Sequence, residues 1–289
     1  MSKAKENKRK MKTGFQARTN LIIIAVSILV SVALILGVLY LFGIRYVKYR
    51  FDTGFSVSFV GVLNSDGMPK TGRISYGGDD SVKGLTATYN AQDNTLEYSN
   101  GDVYEGEVWH LVKHGTGKLT RENGDVYEGE FYEDREHGYG VCTYANGDVY
   151  EGEYENGNKS GQGKYTWADG SVYEGSFKDD LKDGEGVYTM ADGSSYEGSY
   201  VKDAKEGTGT YKYADGSVYE GEFRADQRWG QGTYTWANGE TYTGEFQNNT
   251  LWGQGTYTWP DGRTYTGYFE DGVIVQADET TPETTAPEE

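Results

Sequence analysis

A 23-residue period constrains this chain more than any other feature. From Gly101 the sequence repeats without insertion through seven full units, 101–123, 124–146, 147–169, 170–192, 193–215, 216–238 and 239–261, and a half unit begins at Gly262. A chain with such a period stacks one small unit on the next, and each unit buries its apolar face only against its neighbours. In Val103-Tyr104-Glu105-Gly106-Glu107-Val108, aromatic, glycine and apolar positions alternate with glutamates, and Gly163-Lys164-Tyr165-Thr166-Trp167 alternates in the same way. Period-two alternation marks strands, so each unit reads as two strands.

The strands are separated by turn signals. Asn-Gly or Asp-Gly stands at every unit boundary, from Asn123-Gly124 to Asp261-Gly262. These dipeptides tolerate the positive φ angles of a type I′ hairpin turn. The connection inside a unit, such as Glu155 to Ser160, reads as a polar loop of about six residues. The expected fold is all-β, an elongated single antiparallel sheet of stacked β-hairpins, each unit advancing about 10 Å. Composition agrees: 42 glycines exceed the roughly 20 of ordinary usage, and 15% aromatics exclude simple disorder. Tyr and Trp rings are expected to lie across neighbouring glycines on one face, with Glu105, Glu107, Lys118 and Thr120 on the other.

Two degenerate units precede the array over 56–100, where Phe59-Val60-Gly61 aligns with Tyr104-Glu105-Gly106. Upstream, Leu21 to Gly43 holds no charged residue, enough to span a bilayer as one transmembrane helix. The run exceeds the apolar core of a cleaved signal peptide, and Leu39-Tyr40-Leu41-Phe42 is bulky where cleavage would fall. Seven basic residues precede the span and three follow it closely, Arg45, Lys48 and Arg50. This bias predicts a cytoplasmic N-terminus and a repeat domain outside, with Tyr40, Tyr46 and Tyr49 at the outer headgroup level. The domain order is then a basic cytoplasmic tail (1–20), the transmembrane helix (21–43), a juxtamembrane stalk (44–55), the degenerate repeats (56–100), the array (101–275) and an acidic, disordered tail (276–289).

The unit YEGEF–loop–GxGxYxWxDG resembles the MORN (membrane occupation and recognition nexus) repeat, closely over 101–275 and loosely over 59–100. The resemblance implies an extended antiparallel sheet that serves as a scaffold for protein contacts; lipid binding is also proposed for the family. The unit loops here are mixed or acidic, as in Glu133-Asp134-Arg135-Glu136, and do not suit phosphoinositides. The residues outside the repeats leave no room for an attached catalytic domain.

No distinctive catalytic constellation interrupts the period. The glutamate pairs Glu105/Glu107, Glu128/Glu130 and Glu151/Glu153 are the most conspicuous polar feature. Paired carboxylates suit acid–base chemistry or a hard cation, but identical pairs in successive units read as a solvated face. His114 and His137 share one slot in adjacent units and read as loop residues. The single Cys142 occupies a packing position, and no Cys-rich metal module is possible. Trp229 and Trp252 share another slot, and with Trp236 and Trp259 they concentrate indoles near the C-terminus. Aromatic side chains of this kind anchor protein partners or stack on sugars.

The expected function is a membrane-anchored interaction scaffold, not an enzyme, with no cofactor or metal. Its partners are the bilayer through 21–43 and another protein, docked through Trp229, Trp252, Trp236, Trp259, Glu105, Glu107, Glu128 and Glu130. A cell-wall or surface-glycan binder using the loop tryptophans is the alternative. Residues 51–289 carry a net charge of −27, which excludes nucleic acid as a partner.

Overall fold

The computed structural model describes residues 2–52, 54–78, 82 and 84–277. The fold is antiparallel β throughout, built of repeated hairpins and preceded by one helix, α1 (Ser2–Leu41). Two compact units are present, Met1–Val112 and Lys113–Glu289. Of the tail expected over 276–289, Gln276 and Ala277 end the last strand and 278–289 lie outside the described residues.

In the first unit, α1 is followed by β1 (Ile44–Arg50), β2 (Ser56–Leu63), β3 (Pro69–Gly77), β4 (Thr86–Asn90), β5 (Thr95–Tyr98) and β6 (Val103–Trp109). Each strand pairs antiparallel with the next. Residues 44–50, expected as a stalk, form a full strand of this sheet, with Tyr46 opposite Val60 and Lys48 opposite Ser58. Alternation explains the difference: Val47 and Tyr49 turn inward, and Tyr46, Lys48 and Arg50 turn outward. Phe59 covers the paired glycines Gly61 and Gly72, where an added Cβ would collide with its ring. That is the packing expected of the degenerate repeats, with phenylalanine in the tyrosine slot. Phe51, Trp109 and His110 pack ring to ring, and Tyr49 stacks on His110 at 4.5 Å.

The second unit alternates seven-residue and nine-residue strands. After β7 (Val112–Thr120) come β8 (Val126–Tyr132), β9 (Arg135–Thr143), β10 (Val149–Glu155), β11 (Asn158–Thr166), β12 (Val172–Lys178), β13 (Leu181–Thr189) and β14 (Ser195–Val201). Then follow β15 (Ala204–Lys212), β16 (Val218–Arg224), β17 (Gln227–Thr235), β18 (Thr241–Gln247), β19 (Thr250–Thr258), β20 (Thr264–Glu270) and the shorter β21 (Val273–Ala277). Sequence neighbours pair antiparallel from β7 to β21.

The two kinds of turn exchange the roles that the sequence suggested. The intra-unit connection is a two-residue turn, not a six-residue loop. Both its residues have positive φ, as at Asp179 (49°) and Asp180 (70°) or Lys202 (49°) and Asp203 (71°). This is the type I′ geometry, whose twist matches that of the flanking strands. At the unit boundary only the glycine is left-handed. Gly147 (φ 93°) donates to the Tyr144 carbonyl at 2.9 Å, and the Tyr144 amide donates to the Asp148 carbonyl at 2.9 Å. That pattern is a type I turn closed by a glycine bulge, in which the asparagine keeps an ordinary φ.

The core is a tyrosine–glycine lattice. A row of paired glycines crosses the strands, Gly152 opposite Gly163, Gly163 opposite Gly175, Gly175 opposite Gly186 and Gly186 opposite Gly198. A fully buried tyrosine lies over each hairpin's glycine pair, Tyr150 over Gly152/Gly163 and Tyr173 over Gly175/Gly186. Its hydroxyl donates to the carbonyl three residues on, as from Tyr173 to Ser176 at 3.0 Å. Edge-to-face contacts join the rings within and between units, Tyr173–Phe177 at 5.1 Å and Tyr173–Tyr200 at 5.3 Å. Such geometry is favoured by the ring quadrupoles. A half-buried cation caps many of these rings: Lys182 sits 5.1–5.7 Å from Tyr173, Tyr188 and Tyr200, and burial lowers its pKa.

Candidate functional site

Strand alternation places every second residue on the face opposite the tyrosine lattice. On β12 to β14 that face carries Glu174, Val187 and Glu197 in one row and Ser176, Glu185 and Ser199 in the other, with the glycine row between. The side-chain positions of Gly175, Gly186 and Gly198 face the tyrosine lattice, so between the two rows their backbone forms the floor of a groove of about 560 Å³. Gln162, Glu174, Glu185, Val187 and Glu197 are among its walls. The groove combines a strip of bare peptide with carboxylates and two valines, Val172 and Val187. That chemistry suits an extended, positively charged polypeptide segment.

The glutamates of the expected site are exposed, and each described interaction is structural. Glu105 and Glu107 stand on β6 of the first unit. In the second unit Glu128 pairs with Lys118 at 2.8 Å, and the Glu130 carboxylate accepts the Tyr139 amide at 3.3 Å. The latter recurs: Glu153 accepts from Gln162 at 3.0 Å, Glu222 from Gln231 at 2.9 Å and Glu245 from Gln254 at 3.2 Å. These amides belong to a two-residue bulge that opens where Gly152 faces Gly163 but Glu153 faces Ser160. The second glutamate of the EGE motifs at 128–130, 151–153 and 220–222 therefore ties down a backbone irregularity, and Gly161 takes the left-handed φ of 56° that it needs. Sequence reasoning treated both glutamates alike, as a solvated face. The period itself held the signal, since EGE always meets GxG in the next strand.

The four tryptophans divide between the faces. Trp229 lies opposite Glu222 and Trp252 opposite Glu245, both on the groove face and half-buried. The Arg224 guanidinium sits 5.2 Å from the Trp229 ring. Trp236 and Trp259 belong to the lattice face, where Trp236 contacts Tyr234 at 4.7 Å and Tyr257 at 5.4 Å. His114 and His137 flank the exposed Tyr132, with ring centroids 5.4 and 5.8 Å away. Among the described residues no group of three or more His, Cys, Asp or Glu is arranged to hold a metal. Cys142 is buried, and burial raises its thiol pKa.

Successive units are laced at both ends of the strands. At the type I′ turns the Lys182 amide donates to Asp203 Oδ1 at 2.9 Å and the Asp203 amide returns to the Lys182 carbonyl at 2.8 Å. Lys159 with Asp180 and Lys205 with Asp226 repeat this clasp. At the unit boundaries the Ala168, Ala191 and Ala214 amides donate to the Asp148, Ser171 and Ser194 side chains of the preceding boundary turn at 2.8–3.2 Å. Hydrogen bonds from the Tyr165 hydroxyl and the Ala168 amide hold the Asp148 pKa below the usual carboxylate range.

The MORN repeat pattern matches residues 104–126, 127–149, 150–172, 173–195, 196–218, 219–241 and 242–262. The chain belongs to the MORN repeat family, whose repeats are non-catalytic and generally serve as protein-interaction scaffolds. Among curated proteins none matches it in sequence. Solved structures similar to it include the TCP domain of SAS-4 (dCPAP) from Drosophila melanogaster in complex with a proline-rich motif of Ana2, with 16% identity over 54% of this chain and 85% of that one, TM-score 0.34. The TCP10 domain of Danio rerio CPAP in complex with a STIL peptide has 13% identity over 76% and 97%, TM-score 0.36. A streptogramin B lyase has 12% identity over 79% and 83%, TM-score 0.17.

Proposed function

We propose that this protein is a membrane-anchored scaffold whose repeat sheet docks an extended, basic segment of another protein on the groove face, outside the cytoplasm. The observation that carries the docking is the groove over Gly175, Gly186 and Gly198, walled by Glu174, Glu185 and Glu197. Trp229 and Trp252 lie on the same face of the sheet and serve as aromatic anchors farther along it. Trp236 and Trp259 stay in the lattice.

The anchor reading draws on α1. Asn20–Leu41 is long and apolar enough to cross a membrane, and Leu21, Leu29 and Leu34 stay more than half exposed, so no protein core receives them. The basic residues before the span support a cytoplasmic N-terminus.

A photo-crosslinking residue in place of Val187 tests both parts on intact cells. The expected result is a saturable protein adduct formed from outside the cell and lost in Glu174→Gln/Glu185→Gln/Glu197→Gln. An adduct that survives the triple substitution overturns the groove. An adduct that appears only after the cells are opened overturns the orientation.

A further inference from the structure

The passage from helix to sheet is too short and too well tied to act as a stalk. Only Phe42 and Gly43 separate Leu41 from β1, a reach of about 7 Å at full extension. The headgroup layer on one side of a bilayer is roughly 5–8 Å deep. The helix end is closed by Gly43 (φ 74°), whose amide donates to the Tyr40 carbonyl at 3.1 Å. Arg45 Nη1 donates to the same carbonyl at 3.0 Å, and the guanidinium lies 3.8 Å from the Tyr40 ring. With α1 in the membrane, the first strand begins inside or just above the headgroups and is held there.

The outward face of β1–β3 has a composition that suits this position. Tyr46, Lys48 and Arg50 point outward from β1, Val60 stands beside Tyr46 on β2, and Arg73 stands beside Val60 on β3. Tyr46 is 63% and Val60 50% exposed, and Phe42 beside them in sequence is 74% exposed. Residues 44–77 hold five basic side chains and two acidic ones, whereas 51–289 as a whole carry −27. Among the described residues no ion pair holds Lys48, Arg50 or Arg73. Farther across this sheet the face turns acidic, with Glu97 opposite Val103 and Glu105 opposite Thr95. Among the described residues of this unit, the outward-facing basic side chains of the sheet thus lie on the strands next to the span.

We infer that this face of β1–β3 lies on an anionic lipid surface, the headgroup layer of the bilayer that α1 crosses. The inference rests on the anchor reading and concerns strands outside the matched repeats. Lys48, Arg50 and Arg73 meet lipid phosphates, and Tyr46 and Val60 sit among the glycerol and upper acyl groups, where amphipathic rings are favoured. Each basic residue near an anionic surface favours the docked state by roughly fivefold, so the three together set an about 100-fold preference.

The test uses the full chain with Ser58→Cys, opposite Lys48 on that face, carrying an environment-sensitive fluorophore. Buried Cys142 stays unlabelled, as the unsubstituted chain verifies. The chain is reconstituted in phosphatidylcholine vesicles with and without phosphatidylglycerol, each containing a headgroup-spin-labelled quencher. Stronger quenching in the anionic vesicles is expected, abolished in high salt and in Lys48→Gln/Arg50→Gln/Arg73→Gln. Equal quenching in the two lipids, or a triple variant that behaves like the parent, overturns the proposal. Alkaline carbonate extraction of the same vesicles separates the readings: release of the chain rejects the anchor, and retention with equal quenching rejects the lipid-facing surface alone.

Discussion

Each tyrosine of the lattice occupies space that only glycine leaves free. A Cβ at Gly186 would stand well inside contact with the ring of Tyr173, whereas a Cβ at Gly170 meets nothing within 4 Å. Gly186→Ala should therefore lose about 1–3 kcal/mol by overpacking and weaken the near-ultraviolet circular dichroism of the displaced ring. Gly170→Ala carries only the strain of φ 89° and should leave that spectrum intact, so equal spectra for the two variants would refute the lattice. Tyr173→Phe removes the 3.0 Å bond to the Ser176 carbonyl and should cost about 1 kcal/mol in chemical unfolding. Phe59 shows that the ring alone can fill the slot. The pairing of small and ring-bearing residues was legible in the sequence because both recur every 23 residues. The division of labour between Glu128 and Glu130 was not, because it depends on a bulge visible only once two strands are in register.

At the scale of strands and turns, glycine-centred reasoning found the right turns and gave them the wrong geometry. Asn146-Gly147 satisfies the sequence signal for type I′, but the five residues from Tyr144 to Asp148 form a type I turn with a bulge. Several true type I′ turns, such as Lys202-Asp203 and Ala225-Asp226, have no glycine, whereas Asn156-Gly157 and Asp271-Gly272 do. What sustains positive φ there is the second residue, an Asp, Asn or Gly at 134, 157, 180, 203, 226, 249 and 272. At 134, 180, 203, 226 and 249 its carboxylate or amide oxygen accepts the main chain of the preceding unit. Asp203→Ala should free the Lys182 amide. The expected outcome is faster hydrogen exchange there and a loss of about 1 kcal/mol, with distant repeats unchanged. Exchange that rose evenly along the array would mean that the clasp is not local.

For the whole molecule, stability should be bounded by pH from both sides. The boundary-turn carboxylates Asp125, Asp148 and Asp192 have pKa values held below the ordinary 3.8 by hydrogen bonds. Their contribution is complete above that value and disappears as pH falls through the lowered ones, because the unfolded chain then binds more protons. Burial pushes the lattice phenols up, Tyr196 and Tyr242 to about 12 from the ordinary 10. Their contribution is complete below pH 10 and disappears as pH rises through the folded values. Tyrosine absorbance during alkaline titration should show an ordinary class of phenols near pH 10 and a later class that ionises together with loss of sheet circular dichroism. A single smooth transition would contradict the burial. Acid unfolding followed by circular dichroism should begin only below about pH 4. The interlocking contacts of the second unit also have an evolutionary consequence. Donor and acceptor of each clasp stand 20 or 21 positions apart, inside the reach of one period, so a recombination event that removes or duplicates 23 codons in frame leaves every surviving junction with its proper mate. Such a gene can lengthen or shorten its product stepwise, like links in a chain, without passing through a misfitted intermediate.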